Sequence, residues 1–98
     1  MNIAIVGATG NVGRKILEVL EKKELSIDAI YLVASSKSAG SKIKFKGKDY
    51  EVFDLEKFDF SKARITFFAA GGKISEKFAE KAAKNSLVID NSSFFRMD

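Results

Sequence analysis

Three glycines at three-residue spacing constrain the fold of this chain more than any other feature. Residues 7–13 read Gly-Ala-Thr-Gly-Asn-Val-Gly and directly follow the apolar run Ile3-Ala4-Ile5-Val6. A short apolar run that ends in glycine is typical of a strand buried on both faces. The apolar residues downstream recur with the spacing of one helix face: Val12, Ile16, Val19 and Leu20. The sequence therefore predicts a strand, a tight glycine turn and a helix that runs to about Lys23.

The rest of the chain continues this alternation of buried strands and amphipathic helices. Strands are predicted at residues 29–34, 65–70 and 87–89, and a helix is predicted over 75–84. Between them, residues 43–45 and 50–53 flank a turn and predict a hairpin. Ninety-eight residues fit one domain. The expected fold class is thus a doubly wound α/β domain with a mostly parallel sheet.

The loops at the carboxyl ends of the predicted strands carry the candidate binding residues. Ligands of doubly wound sheets bind at this edge. In the first loop, Gly7 permits the tight turn, Gly10 lets backbone approach a pyrophosphate, and Gly13 lets the helix pack closely. The free N–H groups of residues 9–12 and the helix dipole favour an anion there. A dinucleotide cofactor is the predicted ligand, and a turn without a ligand is the open alternative.

The second predicted strand ends in Ala34-Ser35-Ser36-Lys37-Ser38, without a carboxylate. Domains that select NAD usually place Asp or Glu there, to bind the ribose hydroxyls. Hydroxyls and a cation suit a 2′-phosphate instead, so the sequence favours NADP over NAD. A solvated loop of serines and lysine is the alternative.

Two later loops give weaker indications of a binding function. Residues 70–72 are small enough to let a cofactor pass close to the backbone, and Ser75 is the predicted N-cap of the following helix. A turn plus a cap explains this stretch equally well. Asn91-Ser92-Ser93 follows the last strand, and Arg96 can bind phosphate or carboxylate through two hydrogen bonds. From spacing alone, a surface arginine is the simpler interpretation of Arg96.

The composition of the chain argues against several kinds of catalytic chemistry and several kinds of partner. The chain has no Cys and no His, so it offers no thiolate nucleophile, no imidazole base and no expected metal site. Its net charge of +4 comes from lysines spread along the chain without a run of five, so we expect no nucleic-acid partner. The first residues contain no basic region followed by a long apolar stretch. We therefore expect no membrane partner and a cytoplasmic location.

Four stretches together resemble a known family. GATGNVGRKILEVL, ASSKSAG, FFAAGGKIS and VIDNSSFFRMD are similar, in order and spacing, to the N-terminal NADP-binding segment of aspartate-semialdehyde dehydrogenase. The resemblance implies a Rossmann-like domain over residues 1–98. It also implies that the parent enzyme reduces aspartyl phosphate with NADPH to aspartate semialdehyde and phosphate. That reaction lies on the route to lysine, threonine, methionine and isoleucine.

The resemblance implies a role for each site residue. Thr9, Gly10, Asn11 and Val12 would hold the pyrophosphate, beside the turn at Gly7. The 2′-phosphate would be held by Ser35, Lys37 and Ser38. The cofactor path would be lined by Ala70, Gly71, Gly72 and Ser75. Asn91 would lie near the nicotinamide, and Arg96 would bind the phosphate of aspartyl phosphate or inorganic phosphate.

The chain also departs from the family pattern. Family members often carry Arg where Lys37 stands. Arg can bind the 2′-phosphate through two hydrogen bonds, whereas Lys37 offers it a single point charge. Their catalytic Cys and His, and most of their dimer interface, lie beyond this segment. We therefore expect these 98 residues to be inactive by themselves, with the oligomeric state open. The alternatives are a non-catalytic NADP-binding redox sensor and the related N-acetyl-glutamyl-phosphate reductase.

Overall fold

The structure, a computed structural model, describes residues 2–22, 27–69 and 72–90. The elements follow in chain order: β1 (Asn2–Val6), α1 (Asn11–Lys22), β2 (Ala29–Ala34), β3 (Lys42–Phe45), β4 (Lys48–Asp54), a 3-10 helix (Phe60–Lys62), β5 (Ile65–Phe68), α2 (Gly72–Ala83) and β6 (Leu87–Asp90). None of the helices in this described part of the chain is long and apolar enough to cross a membrane.

The strands form one six-stranded sheet in the order β3-β4-β2-β1-β5-β6. Every neighbouring pair is parallel except β3 and β4, which form an antiparallel hairpin. From β1 the chain first builds outward through β2 and β4, then returns to the other side of β1 with β5. The order therefore reverses between β1 and β5, which is where sheets of this kind bind ligands. The predicted doubly wound fold is confirmed.

The central strands β1, β2 and β5 supply residues to two separate cores, one on each face of the sheet. In β1, Ile3 and Ile5 face the core beneath α1, while Ala4 and Val6 face the opposite core. Helix α1 is amphipathic and buries Ile16, Leu17 and Leu20 against the first core. On the other face, α2 and the segment after β4 contribute Ala82, Leu55, Phe58, Phe60 and Ala63. Burying each large side chain stabilises the fold by about 1.5–3 kcal/mol, which fixes α1 on the sheet.

The hairpin turn is tighter than the sequence predicted. It consists of Lys46 and Gly47, whose φ angles of 50° and 81° are both positive. Two successive positive φ angles match the twist of the flanking strands. As a result β4 begins at Lys48, and its far end pairs with β2 from Leu32↔Val52 to Ala34↔Asp54. Nothing in the local sequence predicted this long-range pairing.

The ends of β5 and α2 also differ from the prediction. Strand β5 ends at Phe68 rather than at residue 70. Helix α2 begins at Gly72, so Ser75 lies within its first turn, and the prediction that Ser75 is the N-cap is wrong. Glycine is costly in a helix interior but not in its first turn, where the N–H groups lack helical partners anyway. The helix can therefore start about one turn before the serine.

Residues 55–64 were not predicted to have regular structure and contain the 3-10 helix. The Asp59 carboxylate caps it, accepting hydrogen bonds from Ser61 N at 3.0 Å and from the Ser61 hydroxyl at 2.6 Å. These two bonds, the side-chain one first, lower the pKa of Asp59 below its usual value. In the strand that follows, the buried Thr66 hydroxyl forms a hydrogen bond of 2.8 Å with the Ser86 hydroxyl, so its burial leaves no polar group unpaired.

Candidate functional site

The carboxyl ends of the central strands meet at one edge of the sheet, and backbone hydrogen bonds tie their loops together. Gly7 N and Ala8 N both donate to Val33 O, at 2.7 and 3.2 Å. On the other side of β1, Ala69 N donates to Val6 O at 2.8 Å. The chain that leaves β1 is therefore bonded to the end of β2, and Ala69, just after β5, is bonded to the end of β1, as expected for neighbours at one edge of the sheet.

The glycine turn presents unpaired N–H groups at this edge. Gly7 has a φ of 87°, which turns the chain sharply out of β1. Gly10 N donates to Gly7 O at 3.1 Å, and Gly10 O accepts the first helical bond from Arg14 N at 3.0 Å. Gly10 thus occupies the N-cap position of α1 but has no side chain to cap the helix. The N–H groups of Asn11 and Val12 are therefore free to bind an anion, whereas the N–H group of Gly10, which was predicted to be free, is paired with Gly7 O.

The helix dipole at this end is not compensated by the chain itself. The first turn of α1 contains no acidic residue. A helix N-terminus carries roughly half a positive charge, and it favours an anion by about 0.3–1 kcal/mol when exposed. The electrostatics of the turn therefore match the predicted pyrophosphate.

Gly10 and Gly13 are glycines for different reasons. A Cβ on Gly13 would lie 2.2 Å from Gly7 O and 2.7 Å from Ala8 Cα, so α1 can approach β1 only without a side chain there. A Cβ on Gly10 would meet only Gly7 O, at an ordinary 3.5 Å, and its φ is not in the left-handed region. The fold needs glycine at position 13 but not at position 10. At position 10 it leaves room for a group that approaches the backbone.

The loop after β2 lies beside the glycine turn. The Thr9 hydroxyl approaches the Ser38 hydroxyl at 3.5 Å, which is long for a hydrogen bond between hydroxyls. Ser38 and Thr9 are half-buried, whereas Ser35 and Lys37 are exposed. Ser35 O accepts hydrogen bonds from Ser38 N at 2.9 Å and Ala39 N at 3.1 Å, which folds the loop into a turn. The structure thus brings both predicted anion-binding loops together.

The loop that follows β2 carries one charged side chain, the ammonium group of Lys37. Lys37 has no carboxylate partner among the side chains that the structure describes. The carboxylate nearest in register is Asp54, which pairs with Ala34 at the end of β4 and which sequence reasoning did not place at this edge. Its Oδ1 accepts a hydrogen bond from Glu56 N at 3.0 Å, so it is engaged in its own turn. A loop with free hydroxyls and an unpaired ammonium suits a phosphate better than a neutral ribose.

The remaining predicted site residues are only partly covered. Gly72 opens α2, and Ser75 lies in its first turn. Ala70, Gly71, Asn91 and Arg96 lie outside the described residues. The part of the site that the structure shows therefore consists of the glycine turn, the serine loop and the start of α2.

A groove elsewhere on the surface offers a competing position. It encloses about 340 Å³ between α1 and β3 and is lined by Arg14, Leu17, Glu18, Glu21, Lys42 and Lys44. Its charges are of both signs and its charged lining side chains are exposed, which gives no preference for an anion. Among the described residues, no group of three or more acidic, His or Cys side chains could hold a metal ion.

Comparison with known proteins gives a consistent picture. Residues 2–98 match the family model of the semialdehyde dehydrogenase NAD-binding domain. The chain is 46% identical over 98 residues to aspartate-semialdehyde dehydrogenase of Shewanella violacea, covering 99% of this chain and 29% of that protein. It is 48% identical over 99 residues to the Helicobacter pylori strain 26695 enzyme, covering 99% of this chain and again 29% of the relative. The chain thus spans less than a third of the length of these relatives.

Solved structures agree with the sequence matches. Aspartate semialdehyde dehydrogenase II of Vibrio cholerae superposes with a TM-score of 0.87 at 47% identity, covering 99% of this chain and 29% of that one. The Candida albicans enzyme, solved with NADP, superposes with a TM-score of 0.73 at 22% identity, covering 99% of this chain and 31% of that one. This second match bears on the fold alone. The resemblance predicted from the sequence is confirmed.

Proposed function

Because the chain belongs to the semialdehyde dehydrogenase family, as its NAD-binding domain, we propose that it forms the NADP-binding portion of an aspartate-semialdehyde dehydrogenase. One observation carries the choice of NADP. The uncapped N-terminus of α1 and the Ser-Lys loop after β2 lie side by side, in contact at Thr9 and Ser38, and residues 35–41 contain no carboxylate. Such a surface offers separate contacts for a pyrophosphate and for a 2′-phosphate.

The residues of the chain bind and orient the cofactor in this proposal. The free N–H groups of Thr9, Asn11 and Val12, with Gly10 leaving room beside them, hold the pyrophosphate, and the hydroxyls of Ser35 and Ser38 with the Lys37 ammonium hold the 2′-phosphate. The bound nicotinamide supplies the hydride chemistry. Since the 98 residues include no Cys and no His, they supply neither a thiolate nucleophile nor an imidazole base. The domain thus contributes binding energy and orientation.

Several further assignments rest on the family resemblance alone. Residues 70–72 and Ser75 line the cofactor path, Asn91 lies near the nicotinamide, and Arg96 binds the phosphate of aspartyl phosphate. The whole protein then reduces aspartyl phosphate for amino-acid biosynthesis in the cytoplasm. Residues 1–98 serve as its cofactor domain, and the relatives' greater length supports further domains in the active enzyme.

Charge reversal at Lys37 tests the cofactor assignment. The unmutated protein should bind NADPH at least about tenfold more tightly than NADH, since a charge-assisted hydrogen bond contributes about 1.5–3 kcal/mol. Lys37→Glu should remove this preference, because a carboxylate repels the phosphate and accepts hydrogen bonds from a ribose. Titration of the cofactor's fluorescence in each protein measures both dissociation constants. The NADPH advantage should shrink with added salt.

Lys48→Glu is the matched control. It changes the net charge equally, from +4 to +2, but at the amino end of β4, the opposite edge of the sheet. At about 0.1 M salt the Debye length is about 10 Å, so this distant reversal should leave the preference nearly intact. Equal affinity for NADPH and NADH in the unmutated protein would contradict the proposal that the loop after β2 binds the 2′-phosphate. If both variants lost the NADPH preference equally, the preference would come from the overall charge of the protein rather than from a contact with Lys37.

A further inference from the structure

The serine loop after β2 is anchored to β4, the strand that lies on the far side of β2 from β1 and the glycine turn. Gly40 N donates to Val52 O at 2.9 Å, and Val52 N donates to Ser41 O at 2.8 Å. This reciprocal pair fastens the end of the loop to the middle of β4, where the Val52 side chain is fully buried. The far end of the loop is therefore fixed by the core of the sheet.

Ser41 also holds Ser38 directly. Its hydroxyl donates to Ser38 O at 2.5 Å, and its backbone N donates to the same oxygen at 3.2 Å. Ser38 N in turn donates to Ser35 O. Both polar backbone groups of Ser38 are thus committed inside the loop, which aims its side chain toward Thr9. The Ser41 hydroxyl is used within the loop rather than offered outward.

Gly40 makes this arrangement possible. Its φ of +91° lies in the region that only glycine adopts readily, and it reverses the chain between Ser38 and β3. A Cβ there would meet nothing within 4 Å, so the requirement is purely conformational. Sequence reasoning did not single out either residue, because their bonds to Val52 continue the β3–β4 ladder beyond the hairpin strands predicted from the sequence.

We propose that Ser41 and Gly40 are positioning residues that hold the loop of Ser35, Lys37 and Ser38 in its phosphate-binding shape before the ligand arrives. The proposal rests on the proposed function, since it concerns the same 2′-phosphate. A loop already in its bound shape loses less conformational entropy on binding, so affinity for the phosphate rises without any added contact. The contribution should be specific to NADPH, because NADH lacks the group that the loop grips.

A hydroxyl deletion and its rescue test Ser41. Ser41→Ala should weaken NADPH about fivefold, the loss expected for one hydrogen bond, and should change NADH less than about twofold. Ser41→Thr keeps the hydroxyl and should restore NADPH affinity to within about twofold of the unmutated protein. Fluorescence titrations with NADPH and NADH measure the affinity of each variant for each cofactor, relative to the unmutated protein. A merely structural role would move both cofactors together.

Gly40→Ala and Gly47→Ala form a second, matched pair. Both glycines have positive φ, at +91° and +81°, and both have open space around them, so alanine strains each by a similar amount. The melting temperature should fall similarly in the two variants. NADPH affinity should fall about fivefold or more only in Gly40→Ala, because Gly47 lies in the hairpin turn away from the cofactor edge.

The outcomes separate the two claims. If the unmutated protein prefers NADPH but Ser41→Ala keeps that preference, the positioning role is wrong and the proposed function stands. A parallel loss of NADH, failure of Ser41→Thr to rescue, or equal losses in Gly40→Ala and Gly47→Ala would likewise overturn the positioning role. If the unmutated protein does not discriminate, the 2′-phosphate assignment fails and the positioning role fails with it.

Discussion

The two loops at the carboxyl edge reach their shapes by different means. The glycine turn of residues 7–13 is shaped by local sterics, since α1 lies so close to β1 that only glycine fits at position 13. The serine loop of residues 35–41 has no such contact and depends on hydrogen bonds to Val52 in β4, on the far strand of the following hairpin. A local steric constraint leaves a mark in the sequence, whereas a long-range anchor does not.

The largest predicted effect is a loss of stability on substitution of Gly13, the glycine required by the close packing of α1 on β1. Gly13→Ala places a Cβ 2.2 Å from Gly7 O, a backbone atom that cannot move without shifting β1 or α1. We expect a loss of about 3 kcal/mol in the free energy of unfolding. For a domain of this size that lowers the melting temperature by roughly 10–20 °C, measurable by circular dichroism. A variant as stable as the unmutated protein would contradict the close packing.

Gly10→Ala separates binding from folding within the same turn. The added Cβ meets only an ordinary contact at 3.5 Å, so the free energy of unfolding should change by less than about 1 kcal/mol. The methyl group would nevertheless occupy the space next to the free N–H groups. NADPH and NADH should both bind about tenfold more weakly, since both carry the pyrophosphate. Unchanged affinity would show that no ligand approaches this turn.

A smaller effect is expected where the two loops touch. Thr9→Val removes the hydroxyl that approaches Ser38 but keeps the branched shape of the side chain. At 3.5 Å the contact is too long to stabilise the free protein much, so unfolding should change by less than about 0.5 kcal/mol. NADPH should bind roughly two- to fivefold more weakly if the hydroxyl also contacts a phosphate. A large drop in stability would mean that this contact holds the loops together.

Much of the fold was predictable because its signals are local. The apolar run of β1, the helical spacing on α1 and the glycine spacing between them each depend on neighbouring residues. The structure confirms all three elements and shows that the glycine turn and the serine loop meet at Thr9 and Ser38. The start of α2 was misplaced because serine is a common N-cap, whereas here the helix already begins at Gly72.

The segment after β4 escaped prediction for a different reason. Its buried residues, Leu55, Phe58, Phe60 and Ala63, follow neither a helical nor a strand period. They are buried because they fill the face of the sheet beside α2, which only the assembled fold defines. The anchoring of Gly40 and Ser41 likewise requires that β3 and β4 pair in one register, with Lys42 opposite Glu51. Short-range patterns carry no information on either.

The most direct test of the cofactor site is to map NADPH binding residue by residue. In a titration followed by nitrogen–proton correlation spectra, the largest amide shifts should fall in residues 9–13 and 35–41. NADH should reproduce the first set and only weakly affect the second. The groove between α1 and β3 is the competing position, and its residues Glu18, Glu21 and Lys44 should stay unshifted. Shifts centred on that groove, or none in either loop, would contradict the account.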